Sequence, residues 1–278
     1  MSHLTKTRAR SVLYLPASNA RAVEKARTLP CDVAVLDLED AVAPEMKAEA
    51  RAAAVAAARE GGFGPRLGVR INALDTPWGA DDLKALKDAP VELIVAPKVE
   101  SAAMVHALSA ALRPGADLWA MIETPRALLD LRDIAEADGA LSGLMLGVND
   151  LAKDLKTGAS PDREPLKPWL AAVVAHARAN GLSVIDGVFN RIKDGTGFVA
   201  ECAQGRLYGF DGKSLIHPSQ IEGANAAFGP SADEVEWARK VVAAFAAPEA
   251  AGLGVIRVEG DMVERLHLQQ AQDLLATA

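Results

Sequence analysis

The chain has 278 residues, of which 50% are hydrophobic and 24% charged, and its net charge is −7. A chain of that length buries one large core, and its acidic balance excludes a broad nucleic-acid-binding surface. No uncharged apolar run of about eighteen residues occurs, which excludes a membrane partner. The segment Met1 to Arg10 lacks the apolar stretch of a signal peptide, so a cytoplasmic location is the default expectation.

Short apolar runs alternate with longer Ala-rich amphipathic stretches. Strands are predicted at Val12 to Leu15, Val33 to Leu38, Leu67 to Ile71, Leu93 to Ala96, Leu118 to Ile122, Leu144 to Leu146, Leu182 to Ile185 and Leu207 to Phe210. The clearest helices between them are Pro44 to Glu60 and Ser101 to Leu112. Pro44 suits a first helical turn, and Gly61-Gly62 stops the helix it opens. Strand followed by helix, repeated eight times with strands apolar on both faces, predicts an α/β fold of the (β/α)8 TIM-barrel type.

After Pro230 the repeat stops. Ser231 to Ala247 reads as a helix opened by a Ser231…Glu234 capping box. Gly252 to Gly260 reads as extended, and Met262 to Leu275 as a last amphipathic helix. The expected organisation is therefore a catalytic barrel over residues 1–230 and a C-terminal helical extension over 231–278. That extension either covers the barrel edge or crosses to another subunit. Cys31 and Cys202 lie far apart and outside any Cys/His cluster, so they read as small core residues.

Polar residues follow the predicted strands at Ser18 and Asn19, Glu39 and Asp40, Asn72, Lys98 and Glu100, Glu123 and Thr124, Asn149 and Asp150, Asp186, and Asp211 with Lys213. In a parallel barrel these would surround one mouth, where enzymes of this fold place their chemistry. Glu123 and Asp150 are about one strand-plus-helix unit apart, so they would leave neighbouring strands on the same face. Two convergent carboxylates suit Mg²⁺, which keeps several waters and leaves positions for an oxygen-bearing substrate. Arg70, between Val69 and Ile71, would point inward near the same mouth.

Six segments in order, Val35-Leu36-Asp37-Leu38-Glu39-Asp40-Ala41-Val42, Val69-Arg70-Ile71-Asn72, Ala96-Pro97-Lys98-Val99-Glu100, Ile122-Glu123-Thr124, Gly147-Val148-Asn149-Asp150-Leu151 and Gly209 to Gln220, carry a likeness to one family. The chain resembles the citrate lyase beta-subunit-like group, which includes citryl-CoA, malyl-CoA and citramalyl-CoA lyases. The resemblance implies a barrel, Mg²⁺, CoA thioesters and a homotrimer. It also implies that Glu123 and Asp150 are the metal carboxylates and Arg70 the substrate-contacting arginine. Glu39 and Asp40 match the family's second-strand acids, expected to hold metal-bound waters or to orient Arg70. Lys213 stands in the segment that the resemblance places near CoA, where it either contacts CoA or satisfies barrel-end acids, and Lys25 is a weaker candidate for a CoA phosphate. Longer members carry a C-terminal aspartate that reaches a neighbouring subunit, and Glu264 stands in its place here.

The expected activity is Mg²⁺-dependent carbon-carbon cleavage of a 3-hydroxyacyl-CoA such as malyl-CoA, citramalyl-CoA or citryl-CoA. Arg70 would stabilise the enolate, and Glu264 of an adjacent subunit would act as the base in the reverse direction. The alternatives are a malyl-CoA-type thioesterase on the same site, an aldolase on free 2-oxo acids, and a non-catalytic acyl-CoA-binding subunit. The expected partners are a small acyl-CoA and a 2-oxo acid.

Overall fold

The computed structural model describes residues 9–277. Contacts divide the chain into two units, one ending at Asn225 and one beginning at Ala226. The first unit is a closed barrel of eight parallel strands in sequential order. In chain order its elements are β1 Ser11–Pro16, α1 Ala20–Ala26, β2 Val33–Asp37, α2 Lys47–Glu60, β3 Arg66–Arg70, α3 Gly79–Leu86, β4 Leu93–Ala96, α4 Ala102–Ala111 and β5 Asp117–Ile122. They continue with α5 Pro125–Leu129, α6 Leu131–Ala135, β6 Leu141–Leu146, α7 Val148–Asp154, α8 Lys167–Ala179, β7 Ser183–Asp186, α9 Gly195–Tyr208 and β8 Gly212–Leu215, and α10 Ile221–Phe228 runs across the boundary at Asn225. Pairing of Ser11 with Lys213 and Val12 with Ser214 closes the ring.

Side-chain parity along the strands decides what the barrel encloses. Val12, Val35, Val95, Trp119, Met145 and Ile185, from six strands, form one buried cluster, so they must face the interior. The residues one position away, such as Ala34, Leu36, Leu118 and Leu144, are equally buried but face the helices. Both faces are therefore apolar, as the near-continuous runs in the sequence required.

Seven strands fall where the apolar runs predict them, to within three residues at either end. The eighth does not. Leu207 and Tyr208 complete α9, and Gly209 ends it in the left-handed conformation with φ 97°. The eighth strand is the polar run Gly212-Lys213-Ser214-Leu215, which hydrophobic patterning misses because its buried polar groups find protein partners. Lys213 Nζ meets Asp186 and Glu201, and Ser214 Oγ donates to the Asp186 carbonyl.

Within the second unit, α11 Ala232–Ala246 opens with the expected capping box. An antiparallel hairpin of β9 Val255–Val258 and β10 Asp261–Glu264 follows, then α12 Arg265–Thr277. Met262 to Glu264 is thus strand and not the start of the last helix. The two-residue turn Glu259-Gly260, with φ 52° and 99°, has the left-handed geometry that tight hairpins use. Ala238, Val241, Val258, Val263 and Ala271 form this unit's core. Among the described residues, no helix is long and apolar enough to cross a membrane.

Candidate active site

Continuing the inward parity past the apolar layer places the polar residues of the mouth. Tyr14 follows Val12 by two, Asp37 follows Val35, Arg70 follows Gly68, Glu123 follows Met121 and Gly147 follows Met145. All of them line one cavity of about 370 Å³, together with Asp40, Asn149, Asp150, Asn190 and Ser214. The structure thus brings Arg70, Asp40, Glu123 and Asp150 together, and Glu39 joins them through Arg70.

Arg70 is buried and held by a planar two-point pair, with Nε on Asp37 Oδ1 at 2.7 Å and Nη2 on Asp37 Oδ2 at 2.6 Å. Its remaining nitrogen, Nη1, lies 3.1 Å from Glu39 and 3.2 Å from Asp40. The guanidinium also stacks over the Tyr14 ring at 4.7 Å, and the Tyr14 hydroxyl donates to Met145 Sδ at 2.7 Å. Burial opposes the charge on Arg70, but the Asp37 hydrogen bonds and charge outweigh it and raise its pKa well above the usual value. A fork fixed on one edge and presenting the other to a cavity can meet an oxyanion without reorganising.

Asp37 was not among the expected site residues, and it is the main anchor of Arg70. The signal was present in the sequence, since Asp37 stands two positions after inward Val35. The acids expected to orient Arg70 take the outer edge instead. Lys47 supports them from below, its buried ammonium bonding the carbonyls of Leu38 and Glu39 at 2.7 Å each.

Glu123 is buried at the end of β5. Its Oε1 accepts the backbone N–H of Lys98 at 2.8 Å, where Lys98 adopts a left-handed φ of 51°. Its Oε2 lies over Gly147, the residue that opens α7, and Asp150 sits in the first turn of that helix. Burial raises the Glu123 carboxyl to about 7 despite the Lys98 hydrogen bond, and raises Glu39 to about 8 despite Arg70. Around Lys98, burial is outweighed by the charges of Glu39, Glu123, Asp150 and Asp40, which hold its ammonium above the usual range. The mouth is therefore an acidic nest with one buried cation, Arg70, and one exposed cation, Lys98.

Other expected residues lie elsewhere. Lys213 is fully buried in a cluster with Asp186, Glu201 and Arg163, at 2.8 Å and 2.7 Å from the two acids. This corrects the expectation that it contacts CoA, because its ammonium has no face open to a phosphate. Asp186 is drawn into the same cluster, with Arg163 at 2.7 Å. Asn72 is turned away from the mouth onto Asp82, and Asp211 precedes β8 and binds Arg178. Lys25 is exposed on α1 and does not line the cavity. Glu264 belongs to the second unit, half-buried on β10 and opposite Val255.

Comparison with known proteins agrees with this architecture. Residues 10–218 match the HpcH/HpaI aldolase/citrate lyase family. The chain is 47% identical over 270 residues to a (3S)-malyl-CoA thioesterase of Cereibacter sphaeroides, covering 97% of this chain and 94% of that protein. It is 34% identical over 285 residues to the citrate lyase subunit beta of Escherichia coli K12, covering 99% and 94%. A solved structure of CitE from Mycobacterium tuberculosis, in complex with magnesium, acetoacetate and coenzyme A, superimposes with a TM-score of 0.80 at 34% identity. That match covers 96% of this chain and 97% of the other.

Proposed function

The chain belongs to the HpcH/HpaI aldolase/citrate lyase family, and from that premise we propose that it is a Mg²⁺-dependent enzyme hydrolysing a 3-hydroxyacyl-CoA of the malyl-CoA type. The observation that carries the reading is that the anchored Arg70 fork and the carboxylates Glu123 and Asp150 line one and the same cavity. The preference for hydrolysis rests on the 47% identity, over nearly the whole chain, to proteins named (3S)-malyl-CoA thioesterase.

The residues fit the metal. Among the described residues no group of three or more His, Cys, Asp or Glu side chains is arranged to hold an ion, which disfavours a zinc-type cage. Mg²⁺ needs only one or two carboxylates and room for waters, and Glu123 and Asp150 beside an open cavity offer both. The space over Gly147, which a Cβ would fill, is taken up by Glu123 Oε2, so this carboxylate is held in one place. Glu123 would be held in its ionised form by a cation bound there, against the effect of burial. When bound, Mg²⁺ would supply positive charge to the hydroxyl and carboxylate oxygens of the substrate.

The chain's own residues then perform the hydrolysis. Arg70 donates from its outer nitrogen Nη1, which Glu39 and Asp40 flank, to the thioester oxygen, which becomes an oxyanion as water attacks the carbonyl carbon. Asp40, the exposed member of the acid pair on Arg70, accepts a proton from that water. The carbon-sulfur bond breaks, the thiolate takes up a proton, and the products are the free hydroxy acid and CoA.

A second reading, carbon-carbon cleavage on the same site, is favoured by the identity to citrate lyase beta subunits. There Arg70 would stabilise the enolate, and Glu264 from an adjacent copy in a trimer would move the proton. Incubating the protein with (3S)-malyl-CoA and Mg²⁺ while following free thiol and glyoxylate separates the two. Hydrolysis releases thiol without glyoxylate, and cleavage releases glyoxylate while the thioester persists in acetyl-CoA.

A further inference from the structure

A second cavity, of about 240 Å³, adjoins the first. Val148, Asn149, Val188 and Asn190 line both, so these four residues form a common wall. The base of the wall is closed and stiff. Val148 is buried and packs so tightly on Gly187 that a Cβ built there would stand 2.5 Å from Val148 Cγ1. The top is different. Asn149 and Asn190 are exposed and joined only by a reciprocal amide pair, at 2.7 Å and 3.3 Å. Water competes for both bonds, so this part of the wall opens at little cost.

The far side of the chamber is the segment joining α7 to α8, and it is pinned. Arg163 in that segment is buried, with φ 58°, and bonds Asp186 at 2.7 Å and Gln204 at 2.7 Å and 3.0 Å. The chamber's other cation, Arg191, is used by Asp194 and by the Phe189 ring. Its acid, Glu201, is used by Lys213. Each of these three charges has a protein partner, and the remaining lining is uncharged, with Ala159, Pro165, Leu166 and Phe189 apolar and Thr157 and Ser160 contributing hydroxyls. Such a space favours an uncharged, largely apolar group over a carboxylate or phosphate, which would be desolvated without a free counter-ion.

Asn149 and Asn190 line the first cavity together with Glu123 and Asp150, so the wall borders the space a ligand at those two carboxylates would occupy. We propose that the second cavity is a chamber for the alkyl branch on the oxygen-bearing carbon of the acyl group or its 2-oxo acid, and that the Asn149–Asn190 pair is the gate that sets the branch length accepted. This rests on the metal-site reading above. With the gate closed the site favours small acids, and with it open it takes longer, neutral branches.

The test is calorimetric binding, with Mg²⁺, of glyoxylate, pyruvate, 2-oxobutyrate, 2-oxovalerate and oxaloacetate to the wild type, to Asn190→Ala and to Asn190→Ala with Ala159→Trp. Thermal melts establish that each variant is folded. Asn190→Ala is expected to raise the affinity for 2-oxovalerate relative to glyoxylate by about tenfold or more, the scale that methylenes command in an apolar pocket. Oxaloacetate gains no such advantage, and Ala159→Trp, which fills the chamber from its far wall, abolishes the gain. An unchanged ratio in Asn190→Ala, an equal gain for oxaloacetate, or a gain that survives Ala159→Trp overturns the chamber while the metal site stands. Failure of the wild type to bind any of these acids with Mg²⁺ overturns the metal-site reading and the chamber with it.

Discussion

A Cβ built on Gly147 would stand 2.2 Å from Oε2 of Glu123 and 2.4 Å from its Cβ, so the two residues share a space that only a missing side chain leaves open. Gly147 also opens the helix that carries Asp150, which ties the positions of both carboxylates to one backbone point. Gly147→Ala must therefore displace Glu123. The expected result is a loss of Mg²⁺ affinity of about tenfold or more, as for other groups that support metal ligands. The overpacking costs about 1–3 kcal/mol of stability. Titration calorimetry and chemical denaturation measure the two effects, and wild-type affinity in a folded Gly147→Ala protein contradicts the account.

Arg70→Lys keeps a positive charge and removes the planar fork that Asp37 grips at two points. Turnover of (3S)-malyl-CoA is expected to fall by about 10²–10³, the scale for losing an oxyanion donor, with a smaller change in KM. Steady-state kinetics decide. A wild-type kcat would make Arg70 a structural ion-pair partner and nothing more.

Most of this arrangement was legible before any coordinates. Seven strands and the residues Arg70, Glu39, Asp40, Glu123 and Asp150 follow from apolar runs and the polar residues that end them. What was illegible has a common physical cause, namely polar groups satisfied inside the fold. Asp37 sits within an apolar strand where only its two-residue step from inward Val35 marks it, and β8 is hidden by the lysine and serine that Asp186 satisfies. Lys213 looks like a mouth residue in sequence because nothing local shows Glu201 and Asp186 closing over it. The hairpin ending at Glu264 is hidden because Met262 and Val263 fit helical and strand periodicities equally over so short a stretch.

Glu39 gives the metal-free protein a distinct pH signature. Burial raises its carboxyl from the ordinary 4.5 to about 8, so between those values the folded state holds a proton that the unfolded chain has released. Stability contributed by this proton is present below the unfolded value and is lost as pH rises through the folded one. Without Mg²⁺, the midpoint of thermal unfolding is expected to decline from pH 5 towards pH 8.5, and Glu39→Gln to flatten that decline. An identical slope in the variant contradicts the assignment.

Lys213→Met leaves Asp186 fully buried with Arg163 as its remaining cation. Breaking a buried pair from one side typically costs about 3–5 kcal/mol, so denaturation should show a loss of that order. The KM for the acyl-CoA should be unchanged in protein that remains folded. A raised KM with little loss of stability would instead return Lys213 to a role at CoA.

The most direct test of the central claim is calorimetric titration of Mg²⁺ into the wild type, Glu123→Ala and Asp150→Ala, each checked for folding by circular dichroism. The account predicts saturable binding to the wild type, loss of that binding in both variants, and loss of Mg²⁺-dependent malyl-CoA turnover alongside it. Unchanged Mg²⁺ affinity in both folded variants would contradict it.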